Sequence, residues 1–284
     1  MNGDVDDLIR DLVERVREVG GVVAVVLGGS RARNTHTPES DIDLGIYYDP
    51  VAPLDIIGLE RVAYAVDDAH RPGLVTATGG WGPWINGGGW LTVQGIAVDF
   101  LYRDLSRVRH YTEAAGAGQI EFVYQPGHPL GFASYIYMSE IAVCRAYWDP
   151  QGAIAQLTRQ TVPYPPRLKE AIIRQFWWEA DFSLQIARKA VSRGDVAYVA
   201  GCCFRAVGCL LQTLFALNDQ YWLNEKGATA LAATFPHTPG DLQARVAAAF
   251  TRLAPAPAAL TEAVAILTAL VREVDSLVQA ESPA

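Results

Sequence analysis

Two aspartates, Asp41 and Asp43, stand two positions apart in the run Ser40-Asp41-Ile42-Asp43-Leu44-Gly45-Ile46. On an extended strand, side chains at i and i+2 share a face. Ile42, Leu44 and Ile46 then turn toward a core, and the two carboxylates project together from the other side. Like charges about 4 Å apart repel by roughly 4 kcal/mol at a surface-like dielectric. A raised pKa, an arginine partner or a divalent cation would offset that repulsion. Oxygen ligands of this kind suit Mg2+, which takes one or two carboxylates together with substrate phosphates. Asp99, between Val98 and Phe100 in an otherwise apolar run, supplies a third carboxylate. Alone it would read as a strand-end residue facing solvent, because an unpaired buried carboxylate is costly. Beside Asp41 and Asp43 it reads as the third member of a metal-binding set.

A second group lies just upstream, Gly28-Gly29-Ser30-Arg31-Ala32-Arg33. Glycines let backbone approach a ligand closely and adopt positive φ. Backbone N–H groups at a helix start favour phosphate. The Ser30 hydroxyl can donate to a phosphate oxygen, and Arg31 or Arg33 can meet its charge. A bare Gly-Gly-Ser is more often only a turn; here it precedes a polar loop and then the Asp-x-Asp strand.

The surrounding pattern supplies the elements that must hold these groups. Val5, Leu8, Ile9, Leu12, Val13 and Val16 have helical spacing over residues 4–19, and Gly20-Gly21 stops the helix. Residues 22–27, all apolar and mostly β-branched, predict a buried strand ending at Gly28. A second strand spans residues 41–48, a helix 53–70, a Gly/Trp-rich hairpin region 73–92 and a third strand 95–102. The character changes from about Phe132 onward. Long helical segments are predicted over 167–193, 196–217 and 240–253, with a final seam at Leu260, Val264, Leu267, Val271, Val274 and Val278. We place the boundary at Pro126-Gly127-His128-Pro129, giving domains 1–128 and 129–284.

At these residues the chain resembles the DNA polymerase β-like nucleotidyltransferase superfamily, which includes aminoglycoside and lincosamide nucleotidyltransferases. The likeness rests on Gly28-Gly29-Ser30, Asp41-x-Asp43 and the later strand carboxylate Asp99, and it runs over about residues 1–105. The helical half resembles, more loosely, the substrate-binding bundles of antibiotic nucleotidyltransferases. One departure is Asn34, where many antibiotic-modifying members place Gly; Asn tolerates left-handed backbone better than most residues. The resemblance implies an α+β fold. An N-terminal nucleotidyltransferase domain with a small mixed sheet would precede a C-terminal helical bundle. It also implies in-line attack of an acceptor hydroxyl on the α-phosphorus of a nucleoside triphosphate. Asp41, Asp43 and Asp99 would hold two Mg2+ ions, and Gly28, Gly29, Ser30, Arg33 and Ser40 would bind the triphosphate, with ATP the expected donor.

The helical half would shape the acceptor pocket. A cationic acceptor wants carboxylates and aromatic faces, which Trp177, Trp178, Glu179 and Asp181 supply on neighbouring turns. Glu179 is a candidate general base, Glu140 and Asp219 are further acidic candidates, and Lys226 is a candidate triphosphate contact. Trp81, Trp84 and Trp90 are expected at a contact if two chains share a site; a monomer or a homodimer fits equally.

Composition limits the alternatives. With 31 acidic against 23 basic side chains, a net charge of −8 argues against a protein built to grip nucleic acid. A hydrophobic share of 50% excludes a disordered chain. The four cysteines make no disulfide or zinc pattern and read as buried thiols of a reducing compartment. The acidic start carries no signal-peptide pattern, and no uninterrupted apolar run approaches the length of a membrane span. A cytoplasmic enzyme transferring a nucleoside monophosphate to a small molecule, such as an aminoglycoside-like antibiotic, fits these features best. A transferase acting on protein or tRNA, or a silent nucleotide-binding regulator, are the alternatives.

Overall fold

The computed structural model describes residues 2–281. In chain order, its first elements are α1 (Asn2–Val16), β1 (Val22–Leu27), α2 (Gly29–Ala32), β2 (Ile42–Tyr48), α3 (Ile56–Val66), β3 (Gly88–Val93) and β4 (Ile96–Asp104). Then come α4 (Leu105–Gly116), β5 (Phe122–Val123), β6 (Phe132–Ala133), α5 (Ile136–Val143), β7 (Arg145–Trp148) and α6 (Ala153–Thr158). Long helices follow: α7 (Pro166–Val191), α8 (Val196–Leu217), the short α9 (Ala228–Ala232), α10 (Leu242–Thr251) and α11 (Pro257–Glu281). The fold is α+β, with a small mixed sheet followed by helices.

Five strands form the main sheet in the order β3-β4-β2-β1-β7. Only β2 and β4 run parallel; every other neighbour is antiparallel. Alternation along the strands divides the sheet into two faces. Val25, Leu27, Ile42, Leu44, Ile46, Val98, Phe100 and Leu91 are buried on one face. There they join Leu8, Ile9, Leu12 and Val16 of α1, and Leu59 and Ala63 of α3, in one apolar core. The opposite face carries Asp43, Gly45, Asp99 and Leu101, all half-buried.

The chain divides into two compact units, but not at residue 128. The first unit takes in residues up to Gly116, then Glu121–Gly127 and Phe132–Pro163. The second takes Ala117–Ile120, His128–Gly131 and everything from Tyr164 onward. The reason is β7: Arg145, Ala146 and Trp148 pair with Leu27, Val26 and Val25, so the segment after residue 132 completes the sheet. The long helices begin only at Pro166, a residue suited to a first helical turn because it has no N–H to leave unbonded.

In the second unit α7 and α8 pack side by side and α11 lies against both. Asp195 caps α8 by accepting the Tyr198 N–H at 3.1 Å. By length and composition alone α8 is long and apolar enough to cross a bilayer, although its apolar run is interrupted. Most of it is buried inside the helical unit, and Arg205 lies midway along it. The four cysteines are free thiols.

Candidate active site

The Gly-Gly-Ser loop and the Asp-x-Asp strand are neighbours through backbone and side chain alike. Gly28 N–H donates to the Asp43 carbonyl at 2.8 Å. Gly29 has φ +60° and lies directly against the Asp43 carboxylate. A Cβ built on Gly29 would sit 1.8 Å from Asp43 Oδ2, so no other residue fits there without moving that carboxylate. At Gly28 the same test gives 3.7 Å to Asp43 Cβ, an ordinary contact.

Arg31 secures the polar loop that leads into β2. It is buried, and its Nε donates to the Ser40 and Asp41 carbonyls at 3.2 and 3.0 Å, with Nη2 donating to Ser40 at 2.5 Å. Thr37 N–H donates to Ser40 Oγ at 2.9 Å. Ser40, expected to contact triphosphate, therefore has its oxygen engaged within the loop. Asn34 has φ +58°, the left-handed geometry anticipated for a residue standing in place of Gly. Arg145 of β7 fixes this turn, with Nε donating to the Ala32 carbonyl at 3.1 Å and Nη2 bonded to Asn34 Oδ1. Arg33 is half-buried, and burial pushes its guanidinium below its ordinary pKa.

The third carboxylate is placed by the parallel pairing. Asp43 and Asp99 are direct cross-strand partners in the β2–β4 register. Their side chains thus stand side by side on the face opposite the core, on strands about 5 Å apart. Asp41 precedes the strand by one residue and is half-buried. Among the described residues, no three His, Cys, Asp or Glu side chains converge so as to hold a metal by themselves. The donors nevertheless fit Mg2+: adjacent carboxylate oxygens beside a glycine loop suit an ion that completes its shell with phosphate oxygens and water.

Farther along the same face, Arg103 is buried and forms a bidentate pair with Glu140 of α5. Nε donates to Oε2 at 2.7 Å and Nη2 to Oε1 at 2.6 Å. Arg103 Nη1 donates to the Ile85 and Tyr102 carbonyls. Glu140 is thereby committed to holding a buried guanidinium, not to greeting a cationic acceptor. Trp84 is buried too, against Tyr111, Phe132 and Tyr137, with Arg107 over its ring at 4.6 Å. It is core rather than a contact for a second chain.

The remaining candidates belong to the second unit. Glu179 of α7 accepts Arg205 Nε at 2.6 Å, while Arg205 Nη1 donates to the Leu130 carbonyl at 3.0 Å. This ties α7, α8 and the Leu130 segment together. Asp181 accepts from Gln185, and Asp219 pairs with Lys169 at 3.2 Å. Trp178 is exposed beside Phe182. Lys226 is exposed, its backbone N–H bonded to Asn224 Oδ1.

Sequence reasoning missed Arg31, Arg145 and Glu140's partner Arg103 as organisers of this unit. Arg103 was detectable as a charge inside an apolar strand; Arg145 carried no local signal.

One family match falls on this loop and strand. Residues 9–76 match the family described as nucleotidyltransferase domain, a segment that holds Gly28–Asp43 and stops short of Asp99. Residues 136–226 match a domain of unknown function, DUF4037. No curated protein matches the chain. Among solved structures, a nucleotidyltransferase-like protein from Exiguobacterium sibiricum aligns over 95% of this chain and 78% of its own, at 9% identity and a TM-score of 0.44. With the glycine loop packed on Asp43 and the family match covering both, residues 9–76 carry a nucleotidyltransferase domain, in keeping with the motif's resemblance to the DNA polymerase β-like superfamily.

Proposed function

We propose that the chain moves a nucleoside monophosphate, AMP from ATP, to a hydroxyl of a small-molecule acceptor, with an aminoglycoside-like antibiotic as the leading acceptor class. The observation that supports it most directly is the in-register pair Asp43 and Asp99, with Gly29 lying against Asp43. The acceptor oxygen forms a bond to the α-phosphorus as the bond to the bridging oxygen breaks. Pyrophosphate leaves, and the hydroxyl proton passes to a carboxylate or to solvent.

Asp41, Asp43 and Asp99 would hold Mg2+, which supplies charge neutralisation on the phosphates and acidifies the acceptor hydroxyl. The Gly28-Gly29 backbone leaves room for the triphosphate to come close. Ser30 donates its hydroxyl to a phosphate oxygen, and Arg33 offsets charge that develops on the departing group. Asp99 is the carboxylate farthest from the glycine loop in the sheet order, and it accepts the hydrogen bond of the incoming hydroxyl. Glu179, already paired with Arg205, holds helices rather than moving a proton.

Mass spectrometry of a reaction containing Mg2+, mixed nucleoside triphosphates and a pool of aminoglycosides and lincosamides tests this reading, with Asp43→Asn protein as control. A nucleotidyl adduct formed by the wild type alone supports it. Equal triphosphate binding and turnover in Asp43→Asn would sink it.

A further inference from the structure

Trp90 faces Asp99 in the antiparallel β3–β4 ladder, so both side chains stand on one face of the sheet. Asp43 shares that face, because it pairs with Asp99 from the other side. Trp90 is 62% exposed, while its strand neighbours Leu91 and Val93 are buried. The exposed indole is backed by a second ring. Trp81 stacks on it with centroids 4.6 Å apart and planes 22° from parallel. Trp81 in turn lies close over Gly88, where a Cβ would come within 2.6 Å of its Cζ3. The same Cβ would lie 1.9 Å from the Phe100 carbonyl oxygen, so the glycine serves the contact with β4 first and the Trp81 ring second.

The sheet order gives this pair a direction. Along the face run the glycine loop after β1, then Asp43 on β2, Asp99 on β4 and Trp90 on β3. Under the nucleotidyl-transfer reading, on which this inference rests, the triphosphate lies toward the glycine loop. In-line displacement requires the attacking hydroxyl to arrive opposite the leaving oxygen. The acceptor then arrives from the Asp99 side, where the stacked tryptophans stand.

We propose that Trp90, backed by Trp81, is the acceptor platform, and that it takes a hydroxyl-bearing ring laid flat on the indole. An amino sugar meets it with C–H groups and an ammonium on the negative face of the ring, and the Asp99 carboxylate directly opposite Trp90 favours the same cation. A planar aryl alcohol makes the same face contact by stacking.

Calorimetry on the full chain, with Mg2+ and a non-hydrolysable ATP analogue present, tests this with kanamycin as the amino-sugar probe and chloramphenicol as the aryl probe. At least one probe binds the wild type; which one identifies the ring chemistry. Trp90→Ala weakens that probe by about tenfold or more, Trp90→Phe by less than about threefold, and the ATP analogue binds all three proteins alike. Four results overturn the proposal: neither probe binding the wild type, probe binding unchanged in Trp90→Ala, the ATP analogue weakened as much as the probe, or Trp90→Ala altering oligomeric state without altering probe binding. The third would make the platform a base site, and the fourth an interface with a second copy. Asp43→Asn separates the two readings, since it abolishes Mg2+-dependent binding of the ATP analogue and spares probe binding. Retained analogue binding there defeats the transferase reading, whatever Trp90 shows.

Discussion

Gly29 occupies the one position where the Asp43 carboxylate leaves no room for a side chain, since an added Cβ would lie 1.8 Å from Oδ2. The glycine thereby serves two ends, a backbone at φ +60° and an unobstructed carboxylate. Gly29→Ala is expected to cost about 1 kcal/mol from backbone strain and to displace Asp43. Turnover should fall about a hundredfold or more while the fold persists. Gly28→Ala, with ordinary contacts at 3.7 Å, should lose far less. Steady-state rates and thermal melts of the two variants check the contrast; equal losses would refute it.

Arg31 anchors the approach to β2 by donating to both Ser40 and Asp41 carbonyls. Lysine cannot span two carbonyls with a planar fork. Arg31→Lys should therefore lower stability by about 1–3 kcal/mol and weaken Mg2+-dependent nucleotide binding as Asp41 loses its fixed position. Denaturant titration together with calorimetry of nucleotide binding reads both effects.

Asp67 gives the first unit a definite acid response. Its buried carboxylate accepts Arg71 Nε and Nη2 at 3.0 and 2.5 Å and the Thr92 N–H of β3 at 3.0 Å. The Arg71 hydrogen bonds foremost hold its pKa well below the usual carboxylate range. A depressed folded-state pKa contributes stability above the unfolded value, about 3.9, and that stability is lost as pH falls toward the folded value. Asp67→Asn should melt at lower temperature at neutral pH, with a gap from wild type that closes as pH drops below about 4. A gap that stays constant from pH 7 to pH 3 would show the carboxylate charge to be irrelevant.

Glu140 is the partner of a buried arginine, so Glu140→Gln should cost about 3 kcal/mol by leaving Arg103 uncompensated. Chemical denaturation checks it. An unchanged unfolding midpoint with weakened acceptor binding would return Glu140 to the role of acceptor ligand.

Burial pushes the thiols of Cys144 and Cys209 up to about 12 and that of Cys203 to about 11. Thiolate is the reactive form. These three should resist iodoacetamide at pH 7.5 in the native protein and react on unfolding, as peptide mass mapping would show.

The strands that carry the carboxylates were legible because each presents a charge in a β-branched or alternating run, Asp43 among Ile42, Leu44 and Ile46 above all. The long helices were legible from their three-and-four spacing. What pairs with what was not. Nothing local announces that Asp43 meets Asp99 in parallel, because register depends on the whole sheet. Helix α4 carries Leu105, Val108, Thr112 and Ala115 at helical spacing, but Thr112 and the polar residues between them mute the signal. β7 is four residues long and begins with Arg145, too short for periodicity to register. Glu179 looked catalytic because a glutamate following two tryptophans has no visible partner in sequence; Arg205 lies 26 residues away.

The late edge strand has a consequence for how the protein can be divided. A fragment cut after residue 128 would keep the carboxylates but strip β7 from β1, leaving Val25, Val26 and Leu27 with open hydrogen-bonding groups along an apolar border. Such a border recruits strands from other chains. It would also release the Ala32–Asn34 turn from Arg145. The smallest self-sufficient catalytic piece thus extends past Trp148, and a shorter one should precipitate rather than fold.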